Sequence, residues 1–248
     1  MERLKHTVKS YDEELQRLSN VILEMGGMAE SQIDAALQAM IERDGELATR
    51  TIEADKRIDH LEKQINEFAI RLLALRQPMA TDLREIVAAL KIAADIERIG
   101  DYAKNLAKRS LAMNQTAPVR PMYQVPRMAK LVQKMIKDTL DAYVTRDAEA
   151  ALAVRAADEE VDETYNSLFR ELLTYMMEDP RSITACTHLL FIAKNIERMG
   201  DLTTNIAETI HFLVYGDEPE EERAKQDQTP YTRPDEITPG DDSGKGGI

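Results

Sequence analysis

The stretch IERIGD at residues 96–101 recurs as IERMGD at residues 196–201, and each copy is followed four residues later by an asparagine, Asn105 or Asn205. The two copies are 100 residues apart. An internal repeat at this separation predicts that the chain contains two copies of one structural unit. Each unit then carries the same carboxylates on a helix, so a function assigned to one pair must also explain the other.

The composition is typical of a helical protein with an aliphatic core. The chain has 248 residues, no Trp and only four Phe, and only five of its ten glycines lie before residue 216. Sequence that is poor in helix breakers favours long helices. The spacing of apolar residues, read together with turn signals, predicts six helices. Their predicted ranges are 8–43, 46–76, 79–114, 122–145, 148–178 and 181–214.

These helices form two predicted units, residues 8–114 and residues 122–215. The turns at Asp44 and Asp147 match each other and indicate equivalent helix hairpins in the two units. We therefore predict an all-α fold of two tandem, pseudo-symmetric three-helix bundles. Five prolines mark the remaining breaks: Pro78 and Pro180 where the third helices begin, and Pro118, Pro121 and Pro126 in the linker.

The composition changes after the sixth predicted helix. Residues 216–248 contain five glycines, four prolines, ten acidic residues and four basic residues. Such a segment has too little apolar surface to form a core, so we predict a disordered acidic tail. The tail accounts for −6 of the net charge of −13.

The net charge limits the classes of partner. With 45 acidic and 32 basic residues, the chain repels phosphate backbones, which argues against a nucleic acid and favours a protein partner. No stretch approaches the ~20 apolar residues of a membrane span, and no apolar signal segment is present. We expect a soluble, cytoplasmic protein in which the single cysteine, Cys186, is a buried apolar residue.

Two glycines interrupt the first predicted helix. Gly26 and Gly27 have no counterpart in the second copy. They indicate either a kink in the helix or the close approach of another backbone, and the sequence leaves both interpretations open.

The repeated motif places carboxylates on one stripe of the third helix. At 100° per residue, the apolar stripe from Leu83 through Ala94 continues to Glu97 and Asp101. We therefore predict that a core-facing stripe becomes acidic halfway along the helix. Neighbouring carboxylates repel each other and lose hydration on burial, so a positive charge is expected against them.

The second helix of each unit offers a matching acidic pair. Asp55 and Asp59 lie in the first copy, and Asp158 and Asp162 lie in the second. Second and third helices joined by a short turn run antiparallel, so the acidic pairs are expected to meet. Carboxylates that converge without Cys or His favour hard cations such as Mg²⁺, Mn²⁺, Ca²⁺ or ferric iron, with zinc less favoured.

A structural interpretation of the acids competes with the metal site. Arg98 and Arg198 stand beside the motifs and are candidates to neutralise them in a network with Asn105 and Asn205. The four histidines share no helical spacing and do not recur between the copies, so the sequence gives no support for a nucleophile and base pair. Nucleotide-binding glycine loops and the HExxH motif are also missing.

Together the paired motifs and the duplicated three-helix layout resemble the PhoU family of bacterial phosphate-signalling accessory proteins. Three shorter stretches add to the resemblance: MGGM at 25–28, RQP at 76–78 and TYMMED at 174–179. The resemblance covers about residues 8–215 and excludes the tail. It implies two three-helix bundles, commonly a homodimer, and metal ligands at Asp55, Asp59, Glu97, Asp101, Asp158, Asp162, Glu197 and Asp201.

The resemblance also implies a regulatory function. Family members restrain phosphate uptake and the phosphate-starvation (Pho) response. They link the phosphate ABC transporter, which contains the ATPase PstB, to the sensor histidine kinase PhoR. This function is that of an adaptor rather than an enzyme, and it implies contact with the membrane only through those partners.

Two other function classes remain as alternatives. The first is a carboxylate-bridged metalloenzyme, but such sites usually add a His three residues after a Glu, where this chain has Gly100 and Gly200. The second is a metal-free helical scaffold in which basic side chains pair with the acids. Metal content after purification separates the scaffold from the metalloenzyme.

Overall fold

The computed structural model describes residues 9–119 and 123–219, with side chains from residue 11 onward. Within these ranges the chain forms six long helices and no β-strand, which confirms the all-α prediction. The predicted helix ends lie within two residues of the observed ones. The helices are α1 (Lys9–Glu42), α2 (Gly45–Arg76), α3 (Thr81–Met113), α4 (Gln124–Thr145), α5 (Ala148–Glu178) and α6 (Ile183–Tyr215).

Aspartates start the second helix of each bundle. The Asp44 carboxylate accepts hydrogen bonds from the backbone N–H groups of Glu46 and Leu47, both at 2.9 Å. The Asp147 carboxylate accepts one from Ala150 N–H at 2.9 Å. These bonds satisfy amides that have no partner inside the helix, which is why Asp is favoured at this position.

Prolines affect the other helix starts in ways that differ from the prediction. α3 begins at Thr81 rather than residue 79, because Gln77 and Ala80 adopt positive φ angles of 46° and 47° and lengthen the turn. Pro180 instead opens a single 3₁₀ turn that leads into α6. Pro126 lies in the first turn of α4 rather than in the linker, a position where a missing N–H removes no helical hydrogen bond. Pro121 lies outside the described residues.

The two bundles share one continuous core. α1, α2 and α3 pack together, as do α4, α5 and α6, and the halves meet through α3 against α6 and α1 against α4. α3 and α6 run antiparallel: the Arg109 guanidinium lies 4.0 Å from the Phe191 ring centroid, and the Lys91 ammonium lies 5.4 Å from that of Phe212. The long α3–α6 contact therefore lies at the centre of the molecule.

The core face of α3 is rotated from the predicted stripe. Ile86, Ala89 and Ile96 are fully buried, whereas Leu83 is 40% exposed and Ala94 is also exposed. The prediction that the acids continue a core-facing stripe is therefore wrong. The acids Glu97 and Asp101 instead continue a stripe that borders the core. Their side chains are partly buried and partly in contact with solvent.

The α1 glycines admit a side chain from the other bundle. Helix α1 continues through both residues. A Cβ atom on Gly26 would lie 2.3 Å from Cδ1 of Leu140 in α4, whereas a Cβ on Gly27 would meet nothing within 4 Å. The close approach at Gly26 is therefore made by the Leu140 side chain rather than by a backbone.

Cys186 is a buried free thiol, as predicted. The predicted disordered tail falls mainly on residues 220–248, which lie outside the described residues. Gly216 ends α6 in the left-handed conformation with a φ of 92°. Across the described part of the chain, no helix combines the length and the apolar character that crossing a membrane requires.

Candidate functional site

Four carboxylates lie together between α2 and α3; we name Asp55, Asp59, Glu97 and Asp101 the first acid cluster. The Lys104 ammonium joins the two helices there, donating to Asp55 Oδ2 at 2.5 Å and to Asp101 Oδ1 at 2.8 Å. Asp55 is 1% exposed, and the other three acids are partly buried. The structure therefore brings together the acidic pairs that the helical spacing placed opposite each other.

The electrostatics of the first acid cluster show that its members share one site. Burial raises the pKa of Glu97, and the negative charges of Asp101 and Asp59 raise that pKa further. Hydrogen bonds to Asp101 and Asp55 raise the pKa of Lys104 above its ordinary value, so the ammonium stays charged. The site therefore favours a positive charge among its carboxylates.

An equivalent set lies between α5 and α6, and we name Asp158, Asp162, Glu197 and Asp201 the second acid cluster. Burial raises the pKa of Glu197 to about 7; the charges of Asp201 and Asp162 raise it, while the Lys194 ammonium lowers it. That ammonium donates to Glu197 Oε1 at 2.7 Å. Glu197 Oε2 is buried and has no hydrogen-bond partner among the described residues.

Lysines, rather than the predicted arginines, contact these acids. Arg98 and Arg198 are exposed, and the Arg198 guanidinium lies 5.9 Å from the ring centroid of Tyr102 in α3. Lys104 follows Asp101 by three residues, and Lys194 precedes Glu197 by three, a spacing that makes helix residues neighbours. This three-residue spacing between a lysine and an acid was the sequence signal that could have identified both lysines as partners of the acids. It was missed because neither lysine recurs: the equivalent positions hold Thr204 and Ala94.

Both repeated glycines make room for a buried aspartate of the neighbouring helix. A Cβ on Gly200 would lie 2.7 Å from Asp158 Oδ1, and a Cβ on Gly100 would lie 3.4 Å from Asp55 Oδ1. A larger residue at Gly200 would push against the Asp158 carboxylate, whereas at Gly100 the tighter contacts would be Ile58 Cδ1 at 3.0 Å and Gln32 Oε1 at 3.3 Å. The space beside Gly200 is therefore taken by an acidic side chain, and the space beside Gly100 is shared by Ile58, Gln32 and Asp55.

A buried glutamine adds an uncharged oxygen to the first acid cluster. Gln32 of α1 is 5% exposed, and its amide donates to Asp55 Oδ1 at 3.2 Å and to the Thr51 carbonyl at 3.3 Å. Its Oε1 has no hydrogen-bond partner in the described structure. That oxygen would lie 3.3 Å from a Cβ on Gly100. An amide oxygen and a carboxylate oxygen thus converge above this glycine.

Carboxylate and amide oxygens suit a hard cation chemically, but their arrangement does not form a metal cage. In the described residues, no group of three or more His, Cys, Asp or Glu side chains is placed to hold a metal ion. At the first acid cluster the reason is visible, because the Lys104 ammonium stands between Asp55 and Asp101. The donor types therefore agree with the predicted metal site, and the present geometry does not.

A nearby carboxylate gives a pH prediction. Burial raises the pKa of Asp95 to about 6, although Arg98 and Lys91 lower it; the second copy has a buried Asn195 at this position. The folded chain then holds this proton more tightly than the unfolded chain, whose Asp titrates near pH ~4. The stabilisation is present below pH ~4 and is lost as the pH rises to about 6.

We therefore expect Asp95→Asn to increase the free energy of unfolding by about 1–2 kcal/mol at pH 7. The difference between variant and wild type should grow from pH ~4 to about 6 and then stay constant. Urea unfolding across this range, with a chelator present, measures it. Parallel stability curves for the two proteins would show that Asp95 is not the titrating group.

Comparison with known proteins follows the same two-unit division. The family model described as PhoU domain matches residues 22–110 and 125–210. The chain is 54% identical over 224 residues to the phosphate-specific transport system accessory protein PhoU homolog of Caulobacter vibrioides, covering 90% of this chain and 97% of that protein. It is 50% identical over 225 residues to the homolog of Rhizobium meliloti, covering 90% and 95%.

Solved structures agree with the sequence comparison. The crystal structure of PhoU from Pseudomonas aeruginosa superimposes with a TM-score of 0.80 at 40% identity, covering 84% of this chain and all of that one. The phosphate transport system regulatory protein PhoU from Streptococcus pneumoniae gives a TM-score of 0.79 at 30% identity, covering 85% of this chain. Duplicated helices, repeated acids, related sequences and shared fold together show that this chain belongs to the PhoU family.

Proposed function

We propose that this protein is a negative regulator of phosphate uptake and of the phosphate-starvation response. It acts as a cytoplasmic homodimer and adaptor between the phosphate ABC transporter, through its ATPase PstB, and the sensor histidine kinase PhoR. The observation that carries the proposal is its 54% identity, over 90% of the chain, to a protein named as an accessory of phosphate-specific transport.

The surface of the molecule supports a binding function. Large apolar side chains are exposed at the α2–α3 turn, where Leu75 is 68% exposed and Met79 is 80% exposed. Apolar groups that cluster at the surface are typical of sites for protein partners. The net charge of −13 favours partners with basic surfaces.

An enzymatic function receives less support. A Glu-x-x-His metal motif would need histidine at residue 100 or 200, and a Cβ on Gly200 would already lie 2.7 Å from Asp158 Oδ1. Lys104 and Lys194 contact the acids that a carboxylate-bridged metal centre would use. These contacts favour a regulatory scaffold over a metalloenzyme.

Deleting the gene tests the regulatory proposal. We expect a clean deletion to raise alkaline phosphatase activity and phosphate uptake in phosphate-rich medium, because the restraint on both is lost. Complementation with the wild-type gene should reverse the effect. Pull-down with PstB and with the cytoplasmic part of PhoR tests the adaptor step. Unchanged activity and uptake in the deletion strain would contradict regulation, and failure to bind either partner would contradict the adaptor.

As a second function, we propose that the acid clusters take a hard cation such as Mg²⁺, Mn²⁺ or ferric iron. The supporting observations are the raised pKa of Glu97 among three other acids and the buried oxygen of Glu197 that lacks a hydrogen-bond partner. A cation would neutralise both features. Equilibrium dialysis of the metal-stripped protein against Mn²⁺ tests this function. If the protein binds no Mn²⁺, the cation proposal is contradicted.

A further inference from the structure

We propose that Lys104 is a built-in competitor for the first acid cluster: its ammonium occupies the cation position between Asp55 and Asp101, and a divalent ion enters only when Lys104 moves out. The inference rests on the cation binding proposed above and adds a residue that regulates this binding. It makes the first acid cluster a regulated site rather than a permanently open one.

The contacts of Lys104 are those of a bound cation. Its Nζ lies 2.5 Å from an oxygen of Asp55 and 2.8 Å from one of Asp101, so one charge bridges two helices. Hydrogen bonds between charged groups are the strong ones, and Asp55 is almost fully buried, where screening by water is weak. A divalent ion at the same oxygens would meet strong repulsion from the ammonium.

The lysine is also able to leave. Its side chain is 25% exposed, and the side chain of its partner Asp101 is 47% exposed. A long flexible side chain at the edge of a site can turn outward into water without rearranging the helices. The removal of Lys104 from the cluster therefore requires a rotamer change and the loss of its two ion pairs, which a cation bound at the same oxygens would replace.

What remains after that movement is a set of oxygens. The oxygens that Lys104 leaves are Asp55 Oδ2 and Asp101 Oδ1. The unpartnered Gln32 Oε1 lies beside the other oxygen of Asp55: a Cβ on Gly100 would lie 3.3 Å from Gln32 Oε1 and 3.4 Å from Asp55 Oδ1. An amide oxygen beside carboxylates is a donor set suited to Mn²⁺ or Mg²⁺.

The second acid cluster has no lysine at the equivalent position. Residue 204 is a threonine, whereas Lys194 reaches Glu197 from the preceding turn, where the first copy has Ala94. In the first acid cluster the lysine follows the motif and pairs with its last acid, Asp101, whereas in the second it precedes the motif and pairs with Glu197. We therefore expect them to bind cations with different affinities despite their repeated acids.

The test compares Mn²⁺ binding by the metal-stripped full chain, by Lys104→Met and by the matched control Lys108→Met. Lys108 lies one turn further along α3 and is exposed. In Lys104→Met the ion no longer has to displace the ammonium, so binding at one site should tighten at least about tenfold, and Lys108→Met should behave as wild type. Adding Asp101→Asn to Lys104→Met should abolish the gain.

Stability provides a second readout. Without metal, Lys104→Met should melt about 10 °C below wild type, because the buried Asp55 carboxylate loses its cation, and Mn²⁺ should restore the lost stability. If Lys104→Met does not fold, Lys104→Gln keeps a hydrogen-bond donor without the charge and replaces it in the titration. Circular dichroism verifies the fold of each variant.

The outcomes separate the two proposals. Tighter Mn²⁺ binding by Lys104→Met than by wild type supports the competitor, including the case in which wild type binds Mn²⁺ only at the second acid cluster. Equal or weaker binding by the folded variant overturns the competitor but leaves the cation proposal standing. Absence of binding by wild type and by every variant overturns both.

Discussion

Replacing Arg146 with alanine should lower the free energy of unfolding by about 3–5 kcal/mol, or the melting temperature by about 10 °C. Arg146 ends α4, and its guanidinium pairs with Glu85 of α3, which is 7% exposed. The same guanidinium lies 4.9 Å from the ring centroid of Tyr143, whose hydroxyl shares a hydrogen bond with Ser19 of α1. The substitution removes the ion pair that Arg146 makes with a buried carboxylate at the junction of the two bundles.

A surface pair supplies the matched control. Arg181 pairs with Asp179 across the α5–α6 turn, with side chains 91% and 45% exposed, so Arg181→Ala should leave the stability close to that of wild type. Glu85→Gln combined with Arg146→Ala should recover part of the loss, because residue 85 then carries no charge for Arg146 to neutralise. Urea unfolding of the four proteins measures these effects. Equal losses for Arg146→Ala and Arg181→Ala would show that the junction pair contributes little.

The helices were predictable from sequence because their ends are fixed by local chemistry. Asp44 and Asp147 start α2 and α5 through their own carboxylates, so the signal and its structural effect lie within three residues of each other. The start of α3 was less predictable. It depends on positive φ angles at Gln77 and Ala80, which neither residue type favours. The core face of α3 was also missed, because burial there depends on α6, which is distant in sequence.

The acidic site was predictable to the level of its repeated residues. Repetition identified the eight acids, and antiparallel packing of neighbouring helices placed them in two groups, as the bridge from Asp55 to Asp101 shows. The counter-ions could not be found in that way, because Lys104 and Lys194 occupy different positions in the two copies. Gln32 was missed for a related reason: it lies 23 residues from Asp55 on another helix and belongs to no motif.

The second large effect is expected at the α1–α4 contact. Gly26→Val should lower the free energy of unfolding by about 2–3 kcal/mol, because a Cβ at Gly26 would lie 2.3 Å from Leu140 Cδ1 and 3.3 Å from its Cγ. Valine adds two methyl groups to that Cβ, so Leu140 must move further than alanine at this position would require. Thermal and urea unfolding measure the loss.

The neighbouring glycine separates this overpacking from helix propensity. Gly27 is exposed and a Cβ there meets nothing within 4 Å, so Gly27→Ala should stabilise the protein by about 0.5–1 kcal/mol, as alanine favours a helix more than glycine does. Leu140→Ala should make room for the valine, so the double variant Gly26→Val with Leu140→Ala should lose less stability than the sum of the single variants. Strict additivity would mean that Gly26 and Leu140 are not coupled. The glycine would then be explained by the conformation of α1 instead of by the packing of one bundle against the other.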